Sequence, residues 1–311
     1  MEYVPINRDT ANDPSGANTR GKGRLRRDIS AWIIMLPALV LFSFFVWVPL
    51  IQGITMAFFS TRGTHIQEFV GLANFQEVLA HPTFKPYFWN TWKYVFFSLI
   101  IGFFIPIIMA SVISEMSVGK GFFRTAVYFP NIVPGMASLI MWGMLLMSGK
   151  SGGVNYLLGL VGIEPVNWLT TASIVIPMIV LTMTWKAAGS TSLIYMATIS
   201  NIGAELYEAA TIDGARPLRR WWSITLPSLL STGRTLLILQ IIAVFQILFE
   251  PRMMTNGGPN KASGTLMMLV YQYAFDGGKY GQSAAVSVLL CLILAAGTIV
   301  YFRVTKNVAA D

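Results

Sequence analysis

Charge is what this chain has least of. Only 12% of its 311 residues are Asp, Glu, Lys or Arg, about half of the ~25% usual in soluble domains. With a mean hydropathy of +0.60, that scarcity excludes a pair of soluble domains and points to a single all-α membrane domain with several spans. Cysteine is nearly missing. The one present, Cys291, lies in an apolar run, so an intramolecular disulfide is excluded and packing is its expected task. Acids are missing from the interiors of the apolar runs, where only Glu250 stands at an end. No metal-ligand cluster and no nucleophile–base pair stands out, and no Gly-x-x-x-x-Gly-Lys-Ser/Thr phosphate loop occurs. No catalytic, cofactor-binding or metal residues are therefore expected.

What is present in quantity is apolar length. A helix crossing a bilayer needs about 20 mainly apolar residues. Residues 31–52, 94–114, 125–148 and 281–302 meet this without a charge, and 172–199 does so apart from Lys186. A sixth run, 235–249, is short and bounded by Arg234 and Glu250. Six spans are predicted within a membrane domain covering residues 31–303. The first thirty residues are polar, contain Pro and Gly, and end in a basic cluster. They read as a disordered tail before an uncleaved first span, and residues 304–311 as a second short tail.

The net charge of +8 falls beside the spans rather than over a nucleic-acid-reading surface, so no nucleic-acid partner is expected. Lys and Arg concentrate on one side of the predicted topology. Arg8, Arg20, Lys22, Arg24, Arg26, Arg27, Lys120, Arg124, Arg216, Arg219, Arg220, Arg234, Arg303 and Lys306 share the side of both termini. Half as many face the other way: Arg62, Lys85, Lys93, Lys150, Arg252, Lys261 and Lys279. The richer side is expected to be cytoplasmic. Of the opposite loops, residues 69–91 mix aromatics and prolines as interfacial segments do. Residues 153–171 read as a short surface helix ending in a Gly-Ile-Glu-Pro turn, and 251–281 as a Gly/Pro loop followed by an amphipathic helix. Asn131, between Pro130 and Pro134, is expected to satisfy carbonyls freed by the prolines.

One cytoplasmic loop, residues 201–230, is unlike the rest. In Glu208-Ala209-Ala210-Thr211-Ile212-Asp213-Gly214-Ala215-Arg216-Pro217, a helix over 204–213 is closed by Gly214, and Pro217 sets a new direction. A second short helix over 218–224 is expected to lead through Leu226-Pro227 back to the membrane. Glu205 and Glu208, three apart, share one face, and Ala209 and Ala210 beside them permit another backbone to come close. Arg216, Arg219, Arg220, Trp221 and Trp222 suit anionic lipid headgroups.

The spacing Glu208-Ala209-Ala210, Gly214, Ile224, Leu226-Pro227 resembles, at every fixed position, the EAA loop of ABC importer permeases. Glu205-Leu206-Tyr207 and Ile212-Asp213-Gly214-Ala215 resemble the version in sugar-type permeases. So do Gly71-Leu72-Ala73-Asn74-Phe75, Phe129-Pro130-Asn131-Ile132-Val133-Pro134 and Met254-Thr255-Asn256-Gly257-Gly258-Pro259, which are similar to segments of the maltose and glycerol-phosphate permease group. The resemblance runs from the first span to the last and implies the six-helix type I importer fold in a bacterial inner membrane. It implies a second, homologous permease, two cytosolic ATPase subunits holding ATP and Mg, an extracytoplasmic solute-binding protein, and surrounding lipid. It makes the loop a coupling helix, with Glu205, Glu208, Ala209, Ala210, Asp213 and Gly214 as its ATPase-facing set.

Polar groups within spans face a cavity or a partner. Lys186 either lines the translocation path or snorkels. Sugar recognition uses aromatic faces and amide or carboxylate groups, so Trp185, Lys186, Gln240, Phe245, Gln246 and Glu250 are the candidate pathway residues. A sugar or oligosaccharide importer subunit is the leading expectation. A permease for another solute such as glycerol phosphate, or an ion-gradient-driven transporter, is the alternative; the latter wants acids within spans or inverted repeats.

Overall fold

Prolines and glycines decide where this apolar chain stays helical. A computed structural model of the protein describes residues 31–308; the N-terminal tail, and residues 309–311 of the C-terminal one, lie outside that range. Two units divide at Thr55. Among its described residues the first holds helix α1 (Ala31–Met56), all but the last residue of it, widened to a π turn at Ser43–Trp47.

The second unit opens with a hairpin absent from the sequence expectations. Strands β1 (Phe59–Arg62) and β2 (His65–Phe69) pair antiparallel around Gly63 at φ +58°. Helix α2 (Ala73–Ala80) follows, then α3 (Phe84–Glu115), long enough to cross a membrane. The run 125–148, expected as one span, is two helices, α4 (Lys120–Ile132) and α5 (Gly135–Leu145). Pro134 accounts for the break, because it forces Val133 into extended backbone (φ −61°, ψ 131°). Helix α6 (Gly153–Leu160) lies where a surface helix is expected, with Asn155 as an internal strut. The Asn155 amide donates to the Val166 carbonyl, and its oxygen accepts from Trp168 Nε1 at 2.9 Å.

Helix α7 (Val175–Ser200) runs unbroken for 26 residues. It crosses α4 so closely that a Cβ on Gly189 would overlap the Val127 carbonyl. After α8 (Ala204–Ile212) comes α9 (Pro217–Phe245), a single 29-residue helix. The separate short helix expected over 218–224 is therefore corrected. A π turn at Trp221–Thr225, closed by the Leu226 N–H reaching the Trp221 carbonyl, carries the helix into Pro227, which has no N–H to contribute. Helices α10 (Phe249–Thr255), α11 (Leu266–Tyr271) and α12 (Tyr280–Val308) complete the chain. Among the described residues, α1, α3, α9 and α12 have both the length and the apolar character to span, and α5 is a shorter apolar helix.

Packing within this second unit divides into two apolar cores. One gathers Phe75, Val78, Tyr87, Tyr94, Ile176, Ile179, Phe245, Leu266 and Leu269 from α2, α3, α7, α9 and α11. The other gathers Phe103, Ile107, Ile113, Tyr195, Met196 and Leu229 from α3, α7 and α9. The loop between α10 and α11 is fixed to α3: Asn90 donates to the Lys261 carbonyl at 2.7 Å, Tyr94 to the Ser263 carbonyl at 3.0 Å, and Thr91 accepts from Leu266 N–H. Gly264 is required there, since a Cβ would collide with the Tyr87 ring.

Candidate functional site: an exposed loop and a charged cavity

Helix α8 ends in a double backbone turn. Ala215 N–H reaches back to the Ala210 carbonyl at 2.9 Å and Gly214 N–H to that of Thr211 at 3.0 Å, with Gly214 at φ +73°. This is the Schellman arrangement, which satisfies the last carbonyls and turns the chain sharply. Glu205 sits in the first turn, where the helix dipole favours an acid. Glu205, Glu208, Ala209, Asp213 and Gly214 are exposed, and Ala210 is half-buried. Ile212 is 87% and Leu206 53% exposed, so a small helix among charged groups also presents apolar side chains.

The loop is firmly held to the helix that follows. Arg220 donates to Thr211 Oγ1 at 2.9 Å, and the Tyr207 and Thr225 hydroxyls lie 2.9 Å apart. Trp221 Nε1 donates to Ser111 Oγ on α3 at 2.8 Å. Tyr207, Glu208, Thr211, Ile212 and Arg220 enclose a notch of about 350 Å³. All six residues of the expected coupling set are thus brought onto one short, rigid projection.

The pathway candidates separate into four places. Lys186 and Glu250 share a cavity of about 280 Å³ between α5, α7 and α10, with Ser138, Trp142 and Thr182 in its wall. Lys186 Nζ donates to the carbonyl of Val133, at the α4–α5 break. That is the task sequence reasoning gave Asn131, which is instead exposed. Trp185 stands beside the cavity, edge-on to Trp142 with ring centroids 5.6 Å apart. The Trp142 Nε1 atom is buried without a hydrogen-bond partner. Sequence reasoning missed Trp142, although its place one turn beyond the small residues of α5 was a usable signal.

Gln240 lies in a second cavity, of about 300 Å³, between α3, α7 and α9, and its amide donates to the Ser98 carbonyl at 2.7 Å. Phe245 is 2% exposed and packs edge-on to Trp92, which makes it a core residue. Gln246 faces a groove between α9 and α12 that also includes Cys291.

At the opposite end from the coupling loop, Glu77 on α2 accepts from Lys279 Nζ at 3.1 Å and Gln282 Nε2 at 2.9 Å at the start of α12. The Gln282 bond, followed by that of Lys279, holds the Glu77 carboxyl below its ordinary range. Arg252 stacks over the Tyr271 ring at 3.9 Å and pairs with Asp276 at 3.4 Å.

These elements recur in known proteins. Residues 102–310 match the family described as the binding-protein-dependent transport system inner membrane component. The trehalose/maltose transport system permease protein MalF of Thermococcus litoralis is 31% identical, covering 93% of this chain and 98% of that protein. The polygalacturonan/rhamnogalacturonan transport system permease protein YteP of Bacillus subtilis is also 31% identical, over 83% of this chain and 81% of its own. Among solved structures, a chain of a bacterial ABC transporter involved in the import of the acidic polysaccharide alginate superposes with a TM-score of 0.82 at 25% identity, covering 93% of this chain and 99% of that one. With the family's match extending over two thirds of its length, this chain belongs to the inner membrane components of binding-protein-dependent transport systems.

Proposed function

We propose that the chain is one of two membrane-spanning subunits of an ATP-driven importer for a sugar or oligosaccharide. The observation that carries this reading is α8, a capped helix on a rigid mount whose Glu208–Ala209 face and Ile212 are exposed. A charged side chain beside small ones, with a bare isoleucine at 87% exposure, suits a groove on a protein partner better than water. Glu208 contributes the polar contact with a cytosolic ATPase subunit, Ala209 and Ala210 the close approach, and Gly214 the turn that aims the helix. ATP and Mg belong to that partner. Closure of the ATPase pair moves α8 and, through the Tyr207–Thr225 tie to α9 and the Trp221–Ser111 bond from α9 to α3, the helices behind it. The Arg-rich end is cytoplasmic on the distribution of Lys and Arg, and both termini face that side.

The cavity around Lys186 and Glu250 suits a saccharide delivered by an extracytoplasmic binding protein. One cation and one anion leave the two together without net charge, while Lys186 and Trp142 donate and Glu250 accepts. That set fits a polyhydroxyl solute. The relatives are named for trehalose/maltose and polygalacturonan/rhamnogalacturonan transport, which supports the saccharide class.

The test is uptake by proteoliposomes holding this chain, its partner permease, the ATPase and the binding protein. Radiolabelled maltose, trehalose and galacturonate oligomers are supplied in turn. Accumulation is expected with internal Mg–ATP and not with a proton or sodium gradient alone. Accumulation driven by a gradient without the ATPase would sink the proposal. Glu208→Lys is expected to insert normally yet cut ATP-driven uptake at least about tenfold, the scale of a lost charged interface contact of ~2 kcal/mol.

A further inference from the structure

The two apolar cores of the second unit are separated by a polar layer. It consists of Ser98 on α3, Thr184 on α7 and Gln240 on α9, with Gly102 of α3 against them, and the cavity of about 300 Å³ opens beside them. At this layer α3 widens to a π turn over Ser98–Gly102, in which the Phe103 N–H reaches the Ser98 carbonyl. A carbonyl has a second lone pair, and here it takes the Gln240 amide at 2.7 Å. Gly102 is what lets that amide approach. A Cβ at this position would lie 2.7 Å from Gln240 Nε2 and 3.3 Å from Thr184 Oγ1. The other end of α9 is tied to the same helix by the Trp221–Ser111 bond. Among the described residues, side-chain hydrogen bonds therefore join α3 and α9 at two points, one beside the coupling loop and one at the seam between the cores.

We propose that Gln240 is a positioning residue for transport. Its amide clamps the widened turn of α3 to α9, so a displacement that enters α9 from the coupling loop crosses the seam instead of being absorbed there. π turns within α-helices are rare and frequently occur at functional sites. A clamp on the carbonyl at the start of the turn fixes where the widening sits. The neighbouring cavity gives the turn space to rearrange when the clamp opens. On this account Gln240 acts on transport without touching solute, in contrast to its place among the pathway candidates. The proposal rests on the importer reading above.

The experiment uses the assembled importer in nanodiscs of phosphatidylethanolamine and phosphatidylglycerol. Hydrogen exchange of the peptide over residues 97–106 is measured with and without Mg–ATP and vanadate. In the wild type the exchange of this peptide is expected to differ between the two conditions. Gln240→Leu should speed its exchange about tenfold in both and abolish the difference, as local opening without global loosening does. Gly102→Ala, which pushes the amide away while leaving it in the chain, should do the same. The double variant should be no worse than either single one, because both remove one interaction. Unchanged exchange in Gln240→Leu overturns the proposal, as does a rise shared equally by α4 and α12, or additive effects in the double variant. Should Gln240→Leu fail to assemble, Gly102→Ala carries the same measurement. A wild-type complex that does not hydrolyse ATP would sink the importer assignment instead, while the contrast between wild type and variants without nucleotide still reads the clamp.

Discussion

Lys186 shows how one residue serves two ends. Its ammonium donates to the carbonyl at the α4–α5 break and also stands in the wall of a cavity opposite Glu250. Removing it takes away a charge-assisted hydrogen bond, a loss of roughly 1.5–3 kcal/mol. Lys186→Met is expected to lower both the rate of uptake and the thermal midpoint, while Lys186→Arg restores the midpoint. Detergent-solubilised protein followed by tryptophan fluorescence, beside the uptake assay, separates the two effects. A silent Lys186→Met would place the ammonium in the headgroups, its stem snorkelling. The sequence made Lys186 conspicuous as a charge in a span. It could not identify the partner, since Val133 is 53 positions away and nothing in its own residue type marks it.

At the scale of elements, α2 and the start of α12 are joined by Glu77, Lys279 and Gln282. The Glu77 carboxyl lies below its ordinary value of 4.5, by the Gln282 bond first and the Lys279 bond second. A depressed carboxyl stabilises the fold fully above the ordinary value, and that contribution is lost as pH falls through the lowered folded value. The thermal midpoint should therefore drop below about pH 4.5, and Glu77→Gln should flatten that part of the profile. The effect is small because both ionic partners are about half exposed, with side-chain exposures of 53% and 48%. A circular-dichroism melt series from pH 6 to pH 3 reads it; identical profiles for both proteins would discount the tie.

Helix ends marked by Gly or Pro were the most legible elements. Gly214 closes α8 within a residue of where spacing placed the end, and Pro134 carries a break that apolar run length alone concealed. Illegible were the π turns at Ser98–Gly102 and Trp221–Thr225. A π turn inserts one residue into a continuous helix, and no residue type announces it. The β1–β2 hairpin escaped notice for a related reason: its strands are short and mostly polar, and lack a repeated alternation.

For the whole molecule, the distribution of Lys and Arg makes a directional prediction. A cysteine placed at Lys261, on the loop held by Asn90, should react with an impermeant maleimide added outside intact cells. A cysteine at Arg219, beside the coupling loop, should react only after the membrane is opened. The native Cys291 is replaced by serine in both. Labelling in the reverse order would invert the topology and remove α8 from reach of a cytosolic ATPase. The family was legible from one loop because its landmarks are spaced by turn geometry. The pathway was not, because its six candidates are distributed among a charged cavity, a seam, a packed core and a groove beside α12 that only the folded arrangement distinguishes.

The meeting of α4 and α7 at Gly189 and the Val127 carbonyl has a mechanical consequence. Where two backbones touch with no side chain between them, neither helix can slide along the other without driving bulkier neighbours into the gap. Rotation about the point of contact meets no such obstacle. The pair therefore has a fulcrum, placed one turn from Lys186, and any swing of α7 during a transport cycle would have to turn about it.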